Sequence, residues 1–229
     1  MNLSDRERAY IIAEAGTNHA APSVAERYSR ALDLVEAAKN CGADAVKFQM
    51  FTPPFDDMFC WIQGDDRRVT RWAETALDVH YWRCVKTYAE EIGIDLLFSV
   101  FQHRTVAWLK QLGVKATKVA SRASANFPYK DATGTLLIST GMPPFPYSFP
   151  NTIHLECESK YPSDRAWVGT HPGFSAHSPT PDLAIDAIKR GCKLVEVHFY
   201  INPEHAGRDL PASLTLDGLR AVCEARDAI

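Results

Sequence analysis

Two lysines stand where a buried strand would ordinarily carry none. Lys47 lies in GADAVKFQM and Lys118 in GVKATKVAS, each within an otherwise apolar run. A lone ammonium inside a core is costly unless it is paired or gives up its charge. Two such strands therefore call for a shared anion, either a bound ligand or strand carboxylates such as Glu14 and Glu196. Gln49, two residues beyond Lys47, shares its face of the strand. His177 and His198 end the last two strand-like runs, GFSAH and LVEVHFY. Imidazoles from neighbouring strands can share one divalent ion, with Glu196, a ligand or waters completing the shell; alternatively Glu196 orients a ligating histidine from behind. Glu14 ends IIAEAG, where an ionisable group after a buried run suits hydroxyl binding or acid–base work. Ser121, Ser139 and Ser175 offer donors to a phosphate. Asn18 and His19 are candidate substrate contacts in the next loop, and Arg208 and Asp209 can reach over the same place.

The elements that position these groups read as alternating strands and helices. Gly42, Gly93, Gly113 and Gly191 each end a helical pattern and precede a β-rich run, as helix-terminating glycines do. Val24, Tyr28, Ala31, Leu32, Val35 and Ala38 predict one amphipathic helix, and Val85, Tyr88, Ala89 and Ile92 another. Thr180 and Pro181 predict the start of the helix that ends at Gly191. Eight strands in this alternation predict a (β/α)8 TIM barrel; a doubly wound sheet is the alternative, but EAGTNHA lacks its glycine fingerprint. The strand ends turn polar (Glu14, Lys47, Ser99, Lys118, Ser139, Glu156, Glu158, His177, His198), and a barrel gathers such ends at one mouth.

The expected outer layer is uneven. MPPFPYSFP, with prolines at four of nine positions, and YPSDRAWVGTHP leave the helices after strands 5 and 6 missing or vestigial. An oligomer partner, most simply in a dimer, is expected to cover that flank through Phe145, Tyr147, Phe149 and Trp167. The connection over 51–75, rich in aromatics and charge, is the candidate lid.

The 229 residues, 46% hydrophobic, suffice for one barrel domain spanning 1–229. A net charge of −3 without a basic run predicts a small-molecule partner rather than nucleic acid. Six scattered cysteines with no CxxC pair, no apolar run of membrane-spanning length and a charged N-terminus predict a reduced, cytoplasmic, unanchored protein.

Taken in order, IIAEAGTNH, GADAVKFQ, KVAS, ISTGM, YP, GFSAHS, EVHF and GRDLPASL resemble the N-acetylneuraminate (sialic acid) synthase family. The resemblance implies a (β/α)8 barrel that condenses phosphoenolpyruvate with an aldose or other aldehyde, uses Mn²⁺ or Mg²⁺, and releases phosphate. It places Lys47, Gln49, Ser99, Phe101, Lys118, Ser121, Tyr161 and Ser175 around phosphoenolpyruvate, His177 and His198 on the metal, and Glu14 and Asp209 on the sugar. Several positions depart from the family pattern. A family carboxylate falls on Ala123, a glycine on Arg122, an asparagine on Ser159 and an aspartate on Ala176, and no C-terminal antifreeze-like domain is expected. Glu158, Arg122 and Glu14 are the candidates to replace the carboxylate. A ligand-binding pseudoenzyme and a metal-dependent aldolase or isomerase are the alternative readings.

Overall fold

In the computed structural model, which describes residues 7–60, 66–142 and 149–229, eight parallel strands close on themselves. They are β1 (Tyr10–Gly16), β2 (Ala45–Met50), β3 (Asp95–Val100), β4 (Ala116–Val119), β5 (Thr135–Ser139), β6 (Thr152–Glu156), β7 (Gly173–Ala176) and β8 (Leu194–Phe199). Each pairs with the next, and β8 pairs back to β1, which is the predicted barrel. A two-residue strand, β9 (Ser213–Leu214), adds to β8 outside the ring.

Alternation along each strand separates two cores. Tyr10, Ile12, Ala45, Leu97, Ala116, Leu137, Leu155 and Leu194 fill the barrel interior, while their neighbours face the helices. The helical layer comprises α1 (Val24–Asn40), α2 (Asp66–Thr75), α3 (Val79–Ile92), α4 (His103–Leu112), α5 (Asp182–Lys189) and α6 (Leu216–Asp227). The four predicted stop glycines all take positive φ, from +62° to +94°. The buried stripe of α1 is Ala31, Leu34, Val35 and Ala38; Val24 is exposed, so the stripe starts later than the periodicity predicts. Helix α5 starts at Asp182 with Pro181 at the cap, one residue past the expected start. Thr180 contributes by donating its hydroxyl to the Asp182 carboxylate at 2.9 Å.

The outer layer is thinner than the sequence predicts. Helices are absent after β5 and β6 among the described residues, and the β4–β5 connection also holds only two single 3₁₀ turns, Ser121–Ala123 and Tyr129–Asp131. Part of that flank packs against its own chain among the described residues. Trp167 donates its indole N–H to the His171 carbonyl at 2.9 Å and lies under the Arg190 guanidinium, and Phe149 stacks on Tyr129 at 4.6 Å. These two members of the predicted interface set are thus packed internally; Phe145 and Tyr147 lie outside the described residues. Glu156 points outward, away from the mouth, and accepts from the Val168 and His171 amides, pinning the β6–β7 connection.

Among the described residues no helix is long and apolar enough to cross a membrane, and all six cysteines are free. His19 is a core strut rather than a substrate contact. It is fully buried, edge-on to Phe48 and Trp82, with Nε2 bonded to the Thr75 carbonyl at 2.9 Å. Asn18 is likewise buried and donates to the Phe199 carbonyl. Burial pushes the His19 pKa down to about 3. Between pH 6.5 and 5 the unfolded chain therefore binds a proton that the folded chain refuses, so stability falls on acidification. In urea titrations across that window, His19→Gln should shallow the slope by about one proton, or roughly 1.4 kcal/mol per pH unit at most. An unchanged slope would place the linkage elsewhere.

Candidate active site

Inward positions low in the barrel are apolar; one turn of the pleat higher they become charged. The register sets Glu14 of β1 beside Lys47 of β2 and His198 of β8, Ser99 beside Lys118, and Ser175 beside Glu196. A register shift between Glu14 and Gly16 ends the β1–β2 ladder. Gly16, at φ +55°, takes a backbone conformation that side chains disfavour, and a Cβ there would stand a tight 3.2 Å from Asp209 Oδ2.

The two lysines find protein carboxylates. Lys47 Nζ lies 2.5 Å from Glu14 Oε2 and 3.5 Å from Glu196 Oε2, and donates to Ser99 Oγ at 2.8 Å. Lys118 is less well compensated. It lies 3.7 Å from Glu196 Oε1 and donates to Ser139 Oγ at 2.6 Å. Ser175 donates to Glu196 Oε1 at 2.8 Å. Burial alone would lower the Lys47 pKa, but Glu14 and Glu196 outweigh it and the pKa is raised. For Lys118 burial wins over Glu196 and the pKa is lowered. Glu196 resists the upward push of burial through Lys118 and Lys47 and is held at about 2. Burial raises the Glu14 pKa despite Lys47, and the Glu196 charge adds to the rise. The strand carboxylates weighed in the sequence are thus real partners, and Lys118 is the cation with charge to spare. Ser99 and Ser139 each accept from an ammonium, so their own O–H groups remain to donate upward.

His177 is built as a nitrogen donor. Its Nδ1 meets the Glu158 carbonyl at 2.6 Å and must carry the proton, which leaves Nε2 as the acceptor for Tyr161 OH at 3.1 Å. Burial lowers its pKa to about 3, so the ring is neutral. The His198 ring lies 5.5 Å from it, and His198 Nδ1 is 3.9 Å from Asp209 Oδ2. Two imidazoles from adjacent strands suit a divalent ion. No group of three or more His, Cys, Asp or Glu side chains is arranged for a metal among the described residues, so substrate oxygens and water would have to supply the remaining ligands.

All of these groups face one cavity of about 900 Å³. Of the candidates from the sequence, Glu14, Lys47, Gln49, Ser99, Phe101, Lys118, Ser121, Ser139, Tyr161, Ser175, His177, Glu196, His198 and Asp209 line it, together with Arg208, whereas Asn18 and His19 do not. From the proposed lid, Arg68, Thr70, Arg71, Trp72 and Glu74 of α2 form one wall; residues 61–65 lie outside the described residues. Cys157, which contacts Ser121 Oγ at 3.2 Å and was not a sequence candidate, also lines the cavity, as does Ser159, noted in the sequence only as a departure from the family pattern. Of the three groups weighed to replace the absent carboxylate, Glu158 is engaged by Ser163 and does not line the cavity, whereas Glu14 and Arg122 do. Ala123 itself is buried in the shell facing the helices.

The family model described as the NeuB family matches residues 34–145 and 150–229. The chain belongs to the NeuB family. Relatives of this family member include the N-acetylneuraminate-9-phosphate synthase of Homo sapiens, 28% identical over 90% of the chain and 66% of that protein. The pseudaminic acid synthase of Campylobacter jejuni is 26% identical over 98% of the chain and 74% of that protein. The N,N'-diacetyllegionaminic acid synthase of Legionella pneumophila is 27% identical over 96% and 72%. The chain thus spans 66% of the length of the human relative. The fold is also that of the N-acetylneuraminic acid synthetase of Leptospira borgpetersenii, solved with citrate, with a TM-score of 0.80 at 19% identity over all of this chain and 87% of that one.

Glu196→Gln keeps the size and the Ser175 contact but leaves Lys118 with no carboxylate within 4 Å among the described residues. Stability measured by urea unfolding at pH 7 should fall by about 3 kcal/mol, the low end for breaking a buried pair. Adding Lys118→Met to that variant should restore part of the loss.

Proposed function

We propose that this family member condenses phosphoenolpyruvate with the aldehyde of a sugar-like acceptor and releases phosphate. The observation that carries this reading is the pair of buried ammonium groups, Lys47 and Lys118, each bonded to a serine hydroxyl at the floor of a cavity open at the strand ends. Phosphoenolpyruvate brings a carboxylate and a phosphate, and two cations with adjacent hydroxyl donors match both. The relatives' names, synthases of sialic, pseudaminic and legionaminic acids, support the same class.

In the reaction, C3 of the enol phosphate bonds to the aldehyde carbon and the aldehyde oxygen takes a proton. Water adds at C2, and the C2–O bond to phosphate then breaks to leave a 2-keto acid. Glu14, with its pKa raised by burial, is placed to hold a proton beside the acceptor oxygen or to bind a sugar hydroxyl. Tyr161 is 43% exposed as a residue, but its hydroxyl lies 3.1 Å from His177 Nε2 and its pKa is raised, so it stays a neutral donor. His177 and His198 would hold Mn²⁺ or Mg²⁺, which when bound would supply Lewis-acid polarisation of the aldehyde. Asp209, close to His198, is placed to position an acceptor hydroxyl. Assembly as a homo-oligomer and a cytoplasmic location accompany the proposal.

Calorimetric titration of phosphoenolpyruvate at pH 7.5 with Mn²⁺ present tests the reading. Saturable binding should weaken at least about 100-fold in Lys118→Met, the scale of a lost charge-assisted contact. Undiminished binding in that variant would remove Lys118 from the site. A second reading has a specific observation behind it: Ala123 offers no carboxylate at its turn and faces the helical shell. Phosphoenolpyruvate binding with no phosphate release across a panel of aldoses would favour that ligand-binding role over turnover.

A further inference from the structure

We infer that Arg122 forms a second anion subsite in the cavity, so that the acceptor carries an acidic group, phosphate or carboxylate, remote from its aldehyde. The inference rests on the condensation reading and names the class of its second substrate.

Arg122 lines the cavity, yet among the described residues its guanidinium makes no hydrogen bond and no ion pair. Other inward-turned arginines are occupied. Arg71 is spent on Thr17 and on the His205 carbonyl, and Arg226 on Asp44, Asp227 and the Gly42 carbonyl. The single contact of Arg122 is its cation–π seat, 4.4 Å over the Phe101 ring. Phe101 stacks on Phe51 at 5.1 Å with 6° between the planes, and Phe51 on Trp72 at 5.1 Å with 19°. This column of three rings backs the guanidinium, whose N–H donors stay unspent among the described residues and can take a carboxylate or phosphate. The adjacent Ala123 packs into the helical shell, so the 3₁₀ turn sends Arg122 inward.

The subsite is separate from the lysines. Lys47 and Lys118 lie against Glu14, Glu196, Ser99 and Ser139, whereas the Arg122 guanidinium sits over Phe101 and shares none of those partners. Arg122 thus makes no ion pair among the described residues, although Glu74 and Asp209 line the same cavity, while Lys47 and Lys118 on the floor each lie beside a carboxylate. A bound acidic group supplies the missing charge.

The test is calorimetry with unreactive probes. Glycerol 3-phosphate and D-glycerate are titrated into protein saturated with phosphoenolpyruvate, and glycerol serves as the neutral control. At least one acidic probe should bind while glycerol does not, and the stronger of the two identifies the acidic group. Arg122→Met, which keeps the stem over Phe101, should weaken that binding by about tenfold or more while phosphoenolpyruvate affinity moves within about twofold. Arg122→Lys should be intermediate. Absence of acidic-probe binding, or a matching fall in phosphoenolpyruvate affinity in Arg122→Met, overturns the second subsite and leaves the condensation reading standing. If phosphoenolpyruvate itself does not bind the wild-type protein, the condensation reading fails. The Arg122 comparison is then scored on the acidic probes alone, with Arg122-dependent binding supporting the subsite and Arg122-independent binding overturning it.

Discussion

The Glu196 carboxylate, shared between two buried ammonium groups, is the constraint around which the barrel is arranged. One oxygen faces Lys118 and Ser175, the other Lys47, whose nearer partner is Glu14. Four charges with almost no solvent contact are tolerable only if they meet at one level and compensate one another. The strands that carry them, β1, β2, β4 and β8, must therefore hold their mutual register. A slip of one residue in any of them would turn its charge into the apolar shell and leave its partners unpaired. The apolar layer beneath, from Ile12 to Leu194, then acts as the floor that keeps water from reaching the cluster from below.

The covering of this ring is unequal, and the inequality follows from the connections. Helices α1, α3, α4, α5 and α6 pack on β2, β3, β7 and β8, while the β4–β6 arc is covered by irregular chain among the described residues. Irregular chain needs its polar groups satisfied individually. Glu156 does this for two amides, the Trp167 carbonyl accepts from Arg190, and Tyr129 donates to the Ser124 carbonyl. At the mouth, α2 brings Trp72 against Phe51 and Arg71 against Thr17, so the connection over 66–75 is tied to the ends of β1 and β2.

Much of this was legible in the sequence because a barrel converts strand order into position. Polar residues at the ends of successive apolar runs must gather at one mouth, and the candidates from Glu14 to Asp209 do share one cavity. What was not legible depends on where chain outside the strands turns. SRASANFPYKDATG gives no clear stop or start, and its reduction to 3₁₀ turns shows only in space. His19 looked like a loop contact because nothing local announces that Phe48 and Trp82, from distant segments, will enclose it. The division of labour between Arg122 and Ala123 was equally hidden, since a single 3₁₀ turn decides which of two neighbours faces the cavity.

The site contains two kinds of cation, and the difference governs what an incoming ligand must do. An anion arriving at the lysines competes with carboxylates already in place, so it gains less than the full attraction of two ammonium groups. As it takes a share of Lys47, Glu14 loses part of the charge that opposes its burial, and the nearby Glu196 and the ligand both add negative potential. All three changes push the Glu14 carboxyl further toward its neutral form. On the proposed reading, binding of the first substrate thus itself prepares a proton beside the place where the aldehyde oxygen acquires charge. Glu196, held near 2 by both lysines, stays ionised and keeps the pair in place. Arg122 makes no ion pair among the described residues, so an acidic group meeting it has no bonded carboxylate to displace. The floor of the cavity is suited to exchange and proton coupling, and the wall to simple attraction.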